Sequence, residues 1–196
     1  MIGLIVAMDQ NRGIGRDGGL LWLAHEDLKR FKKQTMGKKI LYGRKTLLTF
    51  PKAKPLSGRE NWLLSRSFDP AEQDFDAKTL IEQRELRIFK DTDQLDRTLI
   101  TFRANALSEG DWKRLSEVDE VPEAELMIIG GASIYERYLS YADYLDVTRF
   151  DGDGAADCFF PSFEEAFELI ATGEKIQEEG VPTYRYLRYL RKDLLP

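Results

Sequence analysis

Short apolar runs and helix-period segments alternate along this chain. Apolar runs bounded by turn residues predict buried strands; they cover residues 2–8, 39–43, 61–65, 87–89, 126–129 and 144–150. Apolar residues at helical spacing predict helices; they cover residues 26–36, 44–50, 93–103, 111–118 and 133–140. Two last strands, near 168–178 and 183–190, predict an antiparallel hairpin. The pattern therefore predicts an α/β fold: a central, mostly parallel mixed sheet of about eight strands with an antiparallel C-terminal hairpin, and helices on both faces.

Basic residues in two of these elements are expected to face solvent. In the helix over 26–36, Leu28 and Phe31 mark the inner face, and we place Arg30 with the neighbouring lysines on the outer face. In the last strand, Arg188 belongs to a basic run interleaved with tyrosine and leucine, which predicts a strand with one solvated face.

Composition excludes several classes of function. The 196 residues carry a net charge of −5 with acidic and basic residues interspersed, which argues for one domain and against a nucleic-acid partner. Cys158 is the only cysteine and His25 the only histidine, so a disulfide framework, a His/Cys metal site and a histidine-based nucleophilic triad are excluded. The N-terminal apolar run is too short for a membrane span and lacks the basic lead of a signal peptide, so we expect a cytoplasmic protein without a metal.

A pair of glycines separates a buried strand from a helix. The apolar run over 126–129 stops at Gly130 and Gly131, and helical spacing begins at Ile134. A helix that starts here presents free N–H groups and a partial positive charge, which suit a phosphate or pyrophosphate. Ser133 stands where the dinucleotide fingerprint has a later glycine, so a tight turn without a ligand stays an equal alternative.

Three arginines and one aspartate add candidate chemistry. Arg44, Arg59 and Arg66 follow strand ends or a glycine, at the edge where open α/β sheets bind anionic ligands. Asp27 comes one turn before Phe31 on the first helix. It is either a first-turn acid favoured by the helix dipole or a carboxylate in an apolar slot that can pair with a cationic or amidine-like ring edge.

Short motifs in a fixed order carry a resemblance to one family. They are Ile-Gly, a tryptophan with an acid five residues later, Gly-Arg-x-Thr, Pro-Leu-x-Gly-Arg-x-Asn, Leu-Ser-Arg, Ile-Gly-Gly-x-x-x-Tyr, a strand threonine and Asp-x-x-Phe-Pro, at residues 14–15, 22 and 27, 43–46, 55–61, 64–66, 129–135, 148 and 157–161. Each motif is short, but their ordered spacing is specific. Over residues 1–66, and from 126 to the C-terminal hairpin, the chain resembles dihydrofolate reductase.

The resemblance implies NADPH-dependent reduction of 7,8-dihydrofolate to 5,6,7,8-tetrahydrofolate, with hydride transfer to C6 and a solvent proton at N5. It implies that Asp27 pairs with the 2-amino and N3 edge of the pterin, while Trp22 and Thr148 hold a bridging water. Substrate contacts are implied for an apolar slot that ends at an arginine: Ile5, Leu28, Phe31, Phe50, Leu56, Ile129 and Arg59. Nucleotide contacts are implied for strand ends and the glycine junction: Ala7, Ile14, Gly15, Gly43, Arg44, Lys45, Thr46, Leu64, Ser65, Arg66, Gly130, Gly131, Ala132, Ser133, Ile134 and Tyr135.

Cofactor choice and partners follow from the same resemblance. Arg44 and Arg66 are expected to flank the 2′-phosphate, which favours NADPH over NADH, and the Gly130–Gly131 peptide is expected to be cis. The implied partners are dihydrofolate and antifolate inhibitors such as methotrexate or trimethoprim. A monomer is implied, with no nucleic-acid or membrane partner.

The glycine-rich loop over residues 9–24 is long enough to be a functional lid. The chain departs from the family pattern in this lid and in length. Leu21 and His25 stand where prolines are common, and Ala156 replaces a glycine, so we expect lid closure to change rather than chemistry. Residues 1–196 read as a single dihydrofolate-reductase-like domain with a family-atypical polar insertion near 100–121. We expect the insertion to lie away from the pterin, as a tolerated surface addition or as a docking surface.

Two other functions stay open. A pyrimidine or pterin reductase of the same fold, such as the reductase of riboflavin synthesis, fits Trp22, Asp27, Phe31 and Arg59 less well, because these residues suit a folate rather than a ribityl phosphate. An inactive paralogue that binds a nucleotide or a protein would not need the complete pocket that the chain retains.

Overall fold

A computed structural model describes residues 1–195 of the chain. Its strands are β1 Ile2–Met8, β2 Gly13–Gly15, β3 Lys39–Gly43, β4 Glu60–Leu64, β5 Leu86–Phe89, β6 Leu126–Gly130, β7 Tyr144–Phe150, β8 Cys158–Phe159, β9 Phe167–Thr172 and β10 Tyr184–Arg191. Its α-helices are α1 His25–Thr35, α2 Arg44–Thr49, α3 Ala77–Glu82, α4 Thr92–Ile100, α5 Glu109–Leu115 and α6 Ala132–Tyr138.

Eight of these strands form one mixed sheet in the order β5-β4-β3-β6-β1-β7-β10-β9. The first six strands in this order run parallel, and β10 pairs antiparallel with both β7 and β9. The short strands β2 and β8 pair separately. The predicted fold class is thereby confirmed, including the antiparallel C-terminal edge.

The central strands are buried because the sheet is covered on both faces. All five residues of β6 are buried, and so are six of the seven in β1. Such continuous apolar runs are typical of parallel strands with helices on either side. One core cluster contains Leu4, Trp62 and Tyr138, and a second contains Ile5, Leu63 and Tyr144, so successive β1 residues serve opposite faces.

Several boundaries differ from the sequence predictions. The predicted strand over 168–178 ends at Thr172, and beyond it only Ile176 bridges back to Tyr184, so that prediction is wrong in length. Helix α3 lies in a polar stretch where no helix was predicted; Asp76 caps it by accepting from the Thr79 N–H at 3.0 Å. The sequence signal for α3 is this local cap rather than an apolar period.

Arg30 and Arg188 are buried, so the prediction that they face solvent is wrong. Arg188 is fully buried, and Arg30 retains 8% exposure. Both guanidinium groups bond to the buried carboxylate of Asp146 on β7. Buried arginines are tolerated when they are paired and hydrogen-bonded in this way, and a hydropathy pattern cannot reveal the partner.

The segment after α5 also lies elsewhere than expected. Val118 packs in a cluster with Ala24, Phe150 and Tyr186, and Trp22 packs against the same cluster. The carbonyl oxygen of Val118 accepts from Arg30 on α1 at 2.9 Å. The expectation that the whole stretch near 100–121 lies away from the predicted pterin residues is therefore wrong.

Candidate active site

The carboxyl ends of three neighbouring strands meet at one edge of the sheet. Gly43 at the end of β3 is in register with Leu64 at the end of β4, and Tyr42 is in register with Gly130 at the end of β6. Helices α2 and α6 begin directly beyond β3 and β6. Residues predicted to bind the nucleotide, although far apart in sequence, therefore share this edge.

Asp27 is the half-buried acid of the site. It lies in the first turn of α1, and its Oδ1 accepts a hydrogen bond from Thr148 Oγ1 on β7 at 2.5 Å. Burial raises the pKa of the Asp27 carboxyl above its usual value; the Thr148 hydrogen bond and the charge of Arg30 oppose that rise, and Glu178 adds to it. A carboxylate in this setting can pair strongly with a protonated or amidine-like ligand edge.

Glu178, which was not predicted as a site residue, caps the start of α1. The residue before the helix is Ala24, whose side chain cannot cap. Instead Glu178, from the loop between β9 and β10, accepts from the His25 N–H at 2.5 Å and the Glu26 N–H at 3.4 Å. Hydrogen bonds led by the His25 N–H lower the pKa of Glu178. Because the capping carboxylate comes from the distant β9–β10 loop, the sequence around the start of α1 does not predict it.

Apolar residues predicted for the substrate slot gather on one core cluster. Ile5 on β1 and Ile129 on β6 belong to it, and Phe31, Phe50 and Leu56 pack against it. Leu28 stands apart from that cluster, with 42% of its surface exposed.

Asn61 fixes the turn that carries Leu56. It is 1% exposed, accepts from the Leu56 N–H at 3.0 Å and donates to the Leu56 carbonyl at 2.9 Å. Asn61 ends the Pro-Leu-x-Gly-Arg-x-Asn motif over residues 55–61, but the motif did not predict that its side chain bonds to both backbone groups of Leu56.

Arg59 is held at the carboxyl end of α1. Its guanidinium donates to Thr35 Oγ1 from Nε at 3.2 Å and from Nη2 at 3.0 Å. Nη1 donates to the Ser57 carbonyl at 2.8 Å, and the residue is 9% exposed. These contacts fix the orientation of the guanidinium, which can present its remaining N–H groups to a carboxylate.

The glycine junction brings bare backbone next to α2. The Gly130–Gly131 peptide is cis, as the resemblance implied, and Gly130 has a φ of 130°, which favours glycine. A Cβ atom at Gly131 would lie 3.2 Å from Thr46 Oγ1, so the two segments approach closely. Helix α6 begins at Ala132, with Ser133 exposed in its first turn.

Ile134 and Tyr135 support this junction from inside. Both are buried, and the Tyr135 hydroxyl donates to the Ile5 carbonyl of β1 at 2.8 Å. A Cβ atom at Gly43 would come within 3.2 Å of Ile134, so these two positions fit against each other. The two α6 side chains therefore form the floor of the junction rather than its exposed surface.

Two arginines stand at the predicted phosphate end. Arg44 opens α2, and its Nη1 donates to Ser67 Oγ at 2.9 Å, one residue beyond Arg66. Arg66 and Lys45 are exposed, whereas Ser65 is buried. The exposed cations and the adjoining bare backbone form a surface that suits an anion.

Predicted nicotinamide contacts line a small cavity under the lid. Ala7 and Ile14 line it together with Trp22 and the lid residues Leu20 and Leu21. The Trp22 ring also packs on Phe150, with ring centroids 4.9 Å apart. A larger cavity of about 470 Å³ lies between residues 105–109, Trp112 and 193–195 and involves none of the predicted site residues.

Asp9, which was not predicted as a site residue, connects the lid to the loop over residues 151–157. This side chain is 1% exposed; Oδ1 accepts from the Gly13 N–H at 2.6 Å, and Oδ2 accepts from the Gly154 N–H at 3.1 Å. Gly15 pairs with Cys158 in the short β2–β8 ladder. The sequence Asp-x-Asn-x-Gly, typical of a side-chain-stabilised turn, is the signal that could have identified Asp9.

The lid departures are accommodated by close packing. A Cβ atom at Gly154 would lie 2.6 Å from Leu21 Cδ1, so the leucine that replaces the expected proline rests on a bare backbone position. A Cβ atom at Gly13 would likewise lie 2.4 Å from the Ala156 Cβ, so this alanine also rests on a bare backbone position. His25 is exposed and uses its backbone N–H for the Glu178 cap.

Two negative findings apply to residues 1–195. They contain no cluster of three or more His, Cys, Asp or Glu side chains arranged to hold a metal ion. None of their helices combines the length and hydrophobicity needed to cross a membrane.

Comparison with known proteins assigns the family. The family described as dihydrofolate reductase matches residues 1–101 and 110–191. The chain belongs to the dihydrofolate reductase family. It is 31% identical over 195 residues to dihydrofolate reductase of Bacillus subtilis, covering 98% of this chain and 96% of the relative. Identity is 30% over 216 residues with that of Rattus norvegicus, covering 98% of each chain.

A Neisseria meningitidis dihydrofolate reductase is 29% identical over 192 residues, covering 97% of this chain and 98% of the relative. Membership of the family makes the protein an oxidoreductase that reduces dihydrofolate to tetrahydrofolate, a reaction that uses a nicotinamide cofactor. The matched ranges leave residues 102–109 unmatched, within the stretch singled out as an insertion.

Proposed function

We propose that this enzyme reduces 7,8-dihydrofolate to 5,6,7,8-tetrahydrofolate with NADPH, by hydride transfer to C6 and protonation of N5 from solvent. The observation that carries the proposal is the Asp27 carboxylate, which is half-buried and bonded to Thr148 at 2.5 Å. Apolar side chains follow Asp27 along α1, and the helix ends at Thr35, whose hydroxyl accepts a hydrogen bond from Arg59. A folate, with a polar pterin edge, an apolar middle and a terminal carboxylate, matches this order of groups.

The substrate residues each take a defined role in this proposal. Asp27 pairs with the 2-amino and N3 edge of the pterin, and Trp22 and Thr148 hold a water beside it. Arg59 binds the α-carboxylate of the glutamate tail, supported by its fixed contacts with Thr35. The middle of the substrate lies along the apolar side chains Ile5, Leu28, Phe31, Phe50, Leu56 and Ile129.

The residues present fit NADPH at the edge of the sheet. The support is the close approach at Gly131, where a side chain would meet Thr46 at 3.2 Å, together with the exposed cations beyond β3 and β4. Arg44 and Arg66 flank the 2′-phosphate, which NADH lacks. Gly130, Gly131, Ala132 and Ser133 take the pyrophosphate, helped by Lys45 and Thr46, and Gly43, Leu64 and Ser65 also contact the cofactor. Ala7 and Ile14 meet the nicotinamide, Gly15 also contacts the cofactor, and Ile134 and Tyr135 support the glycine junction.

When bound, NADPH supplies the hydride, and the side chains of this chain prepare the acceptor. Ionised Asp27 favours a protonated or suitably tautomerised pterin through charge, because it cannot reach N5. The lid, held by Asp9, limits the access of water and keeps the two rings in contact. Antifolates such as methotrexate or trimethoprim would compete for Asp27, and we propose that the protein acts as a monomer without nucleic-acid or membrane partners.

Initial rates of NADPH oxidation with dihydrofolate test this function. We expect turnover that depends on dihydrofolate, is blocked by methotrexate and is much weaker with NADH. Turnover of a ribosylated pyrimidine instead would assign the riboflavin-type reductase. If the protein is folded but does not oxidise NADPH with either dihydrofolate or the ribosylated pyrimidine, it is an inactive paralogue.

A further inference from the structure

Two arginines and one aspartate form a buried group beneath α1 that the proposed chemistry does not use. Asp146 on β7 is fully buried, and its Oδ1 accepts from Arg30 Nη2 at 3.1 Å and from Arg188 Nε at 2.8 Å. Its Oδ2 also accepts from Arg188 Nη2 at 3.3 Å. We refer to Arg30, Asp146 and Arg188 as the buried ion cluster. It joins α1, β7 and β10.

The cluster also bonds to the last turn of α5 and to the chain that follows it. Arg188 donates to the carbonyl groups of Arg114 and Glu117 at 2.8 and 2.7 Å, and to those of Val118 and Glu120 at 3.1 Å each. Arg30 Nη2 donates to the same Val118 carbonyl at 2.9 Å. We refer to residues 114–120 as the anchored segment. The backbone carbonyl groups of this segment, rather than further carboxylates, accept the other hydrogen bonds of the two guanidinium groups, and the buried Nε and Nη1 atoms of Arg30 have no hydrogen-bond partner among the described residues.

The charges of the cluster do not balance within it. Two guanidinium groups, which stay protonated in proteins, face the single carboxylate of Asp146. One turn before Arg30, on the same face of α1, lies Asp27. Among the described residues no ion pair joins Arg30 to Asp27, because the guanidinium is directed to Asp146 and Val118. The excess positive charge thus acts on Asp27 through space.

Packing fixes the position of this charge. The Arg30 guanidinium carbon lies 4.4 Å from the centre of the Tyr186 ring, and the residue keeps only 8% exposure. A charge that is buried and immobile is screened far less than one on the surface.

We propose that Arg30 is a positioning residue that supplies a fixed positive charge beside Asp27, and that Asp146 and the anchored segment keep it in place. The inference rests on the proposed role of Asp27 in dihydrofolate reduction. It gives the anchored segment a function as a support of the active site.

Groups from every neighbouring element act on Asp27. Burial and the negative charge of Glu178, from the β9–β10 loop, raise its pKa, whereas Thr148 on β7 and Arg30 on α1 lower it. Tyr186 on β10 stays neutral, because burial raises its pKa to about 12. Glu26, also on α1, is exposed. Arg30 is therefore the group whose charge favours the ionised form of Asp27.

Titration of Asp27 in the ligand-free protein tests this role. Aspartate labelled with carbon-13 at the carboxyl carbon gives a resonance that Asp27→Asn identifies by its loss. In Arg30→Met we expect the Asp27 midpoint to move upward, and in Arg30→Lys to move less, because the charge is kept. The control is Lys32→Met, which removes another exposed cation of α1; it should leave the midpoint unchanged.

Asp146→Asn provides a test of opposite sign. Removing this negative charge leaves Arg30 less neutralised, so the Asp27 midpoint should move downward. Loss of a merely structural contact would not shift the two variants in opposite directions. If Arg30→Met does not fold, Arg30→Gln keeps donors for Asp146 and Val118, and the upward shift is still required.

An unchanged midpoint in the folded Arg30 variant, or an upward shift in Asp146→Asn, would overturn the proposal. Because the titration needs neither dihydrofolate nor NADPH, its failure is distinct from a failure of the proposed function, which the wild-type rate assay reports.

Discussion

Arg188→Met removes the centre of the buried ion cluster while keeping an unbranched apolar side chain. Arg188 is fully buried, with 0% of its surface exposed to solvent. It bonds to both Asp146 carboxylate oxygens and to four carbonyl groups of the anchored segment. Breaking a buried charged pair by removing one partner costs about 3–5 kcal/mol. Asp146 keeps Arg30 as a partner, and the freed carbonyl groups can reach water if the segment detaches. We therefore expect a loss near the lower end, about 3 kcal/mol.

Urea unfolding followed by circular dichroism measures this loss. For a domain of this size about 1 kcal/mol corresponds to roughly 2–4 °C in Tm, so thermal unfolding should fall by about 6–12 °C. The matched control is Arg185→Met on the same strand, where the side chain is only partly buried. Such a position should change stability by no more than about 0.5 kcal/mol.

Hydrogen exchange locates the effect. Amides of residues 114–120 should exchange faster in Arg188→Met than in the control, because their carbonyl anchors are lost. A stability loss below about 1 kcal/mol, equal to that of the control, would refute the view that Arg188 anchors this segment.

Three other substitutions test separate parts of the site. Tyr135→Phe leaves the buried Ile5 carbonyl without its donor and should lower the unfolding free energy by about 1–3 kcal/mol in urea titrations. Replacing both Arg44 and Arg66 with alanine should weaken NADPH binding, measured by calorimetry, by about 1.5–3 kcal/mol for each lost charged contact and leave NADH binding nearly unchanged; equal losses would make these arginines structural. Burial raises the folded-state pKa of Asp27, so the wild type loses stability as pH rises above the ordinary carboxyl pKa of about 3.9. Asp27→Asn should therefore have a larger free energy of unfolding than the wild type at pH 8, and this difference in free energy should vanish at low pH. A difference that instead grows as pH falls would contradict this sign.

Much of the fold could be predicted because its central strands obey simple rules. The run over 126–129 is apolar throughout, as a strand covered on both faces requires, and the glycines after it mark its end. The ordered motifs placed Asp27 and Thr148 in one site although they lie far apart in sequence, and the two are hydrogen-bonded.

Other features depend on partners that a local pattern cannot supply. The local pattern predicts a solvated Arg188, because the contacts that offset the cost of burying its guanidinium come from Asp146 and residues 114–120, which are remote in sequence. Glu178 caps a helix more than a hundred residues away in the chain, at His25 and Glu26. Asp9 is different, because its turn motif is local and could have been recognised.

Single-turnover hydride transfer in wild type and Asp27→Asn, followed as a function of pH with NADPH and dihydrofolate, tests the central claim most directly. A neutral amide cannot stabilise extra positive charge on the pterin, so the variant should bind NADPH normally yet transfer hydride orders of magnitude more slowly at neutral pH. Its rate should recover in part at low pH, where the substrate protonates unaided. Near-wild-type hydride transfer by the variant at pH 7 would contradict the role assigned to Asp27.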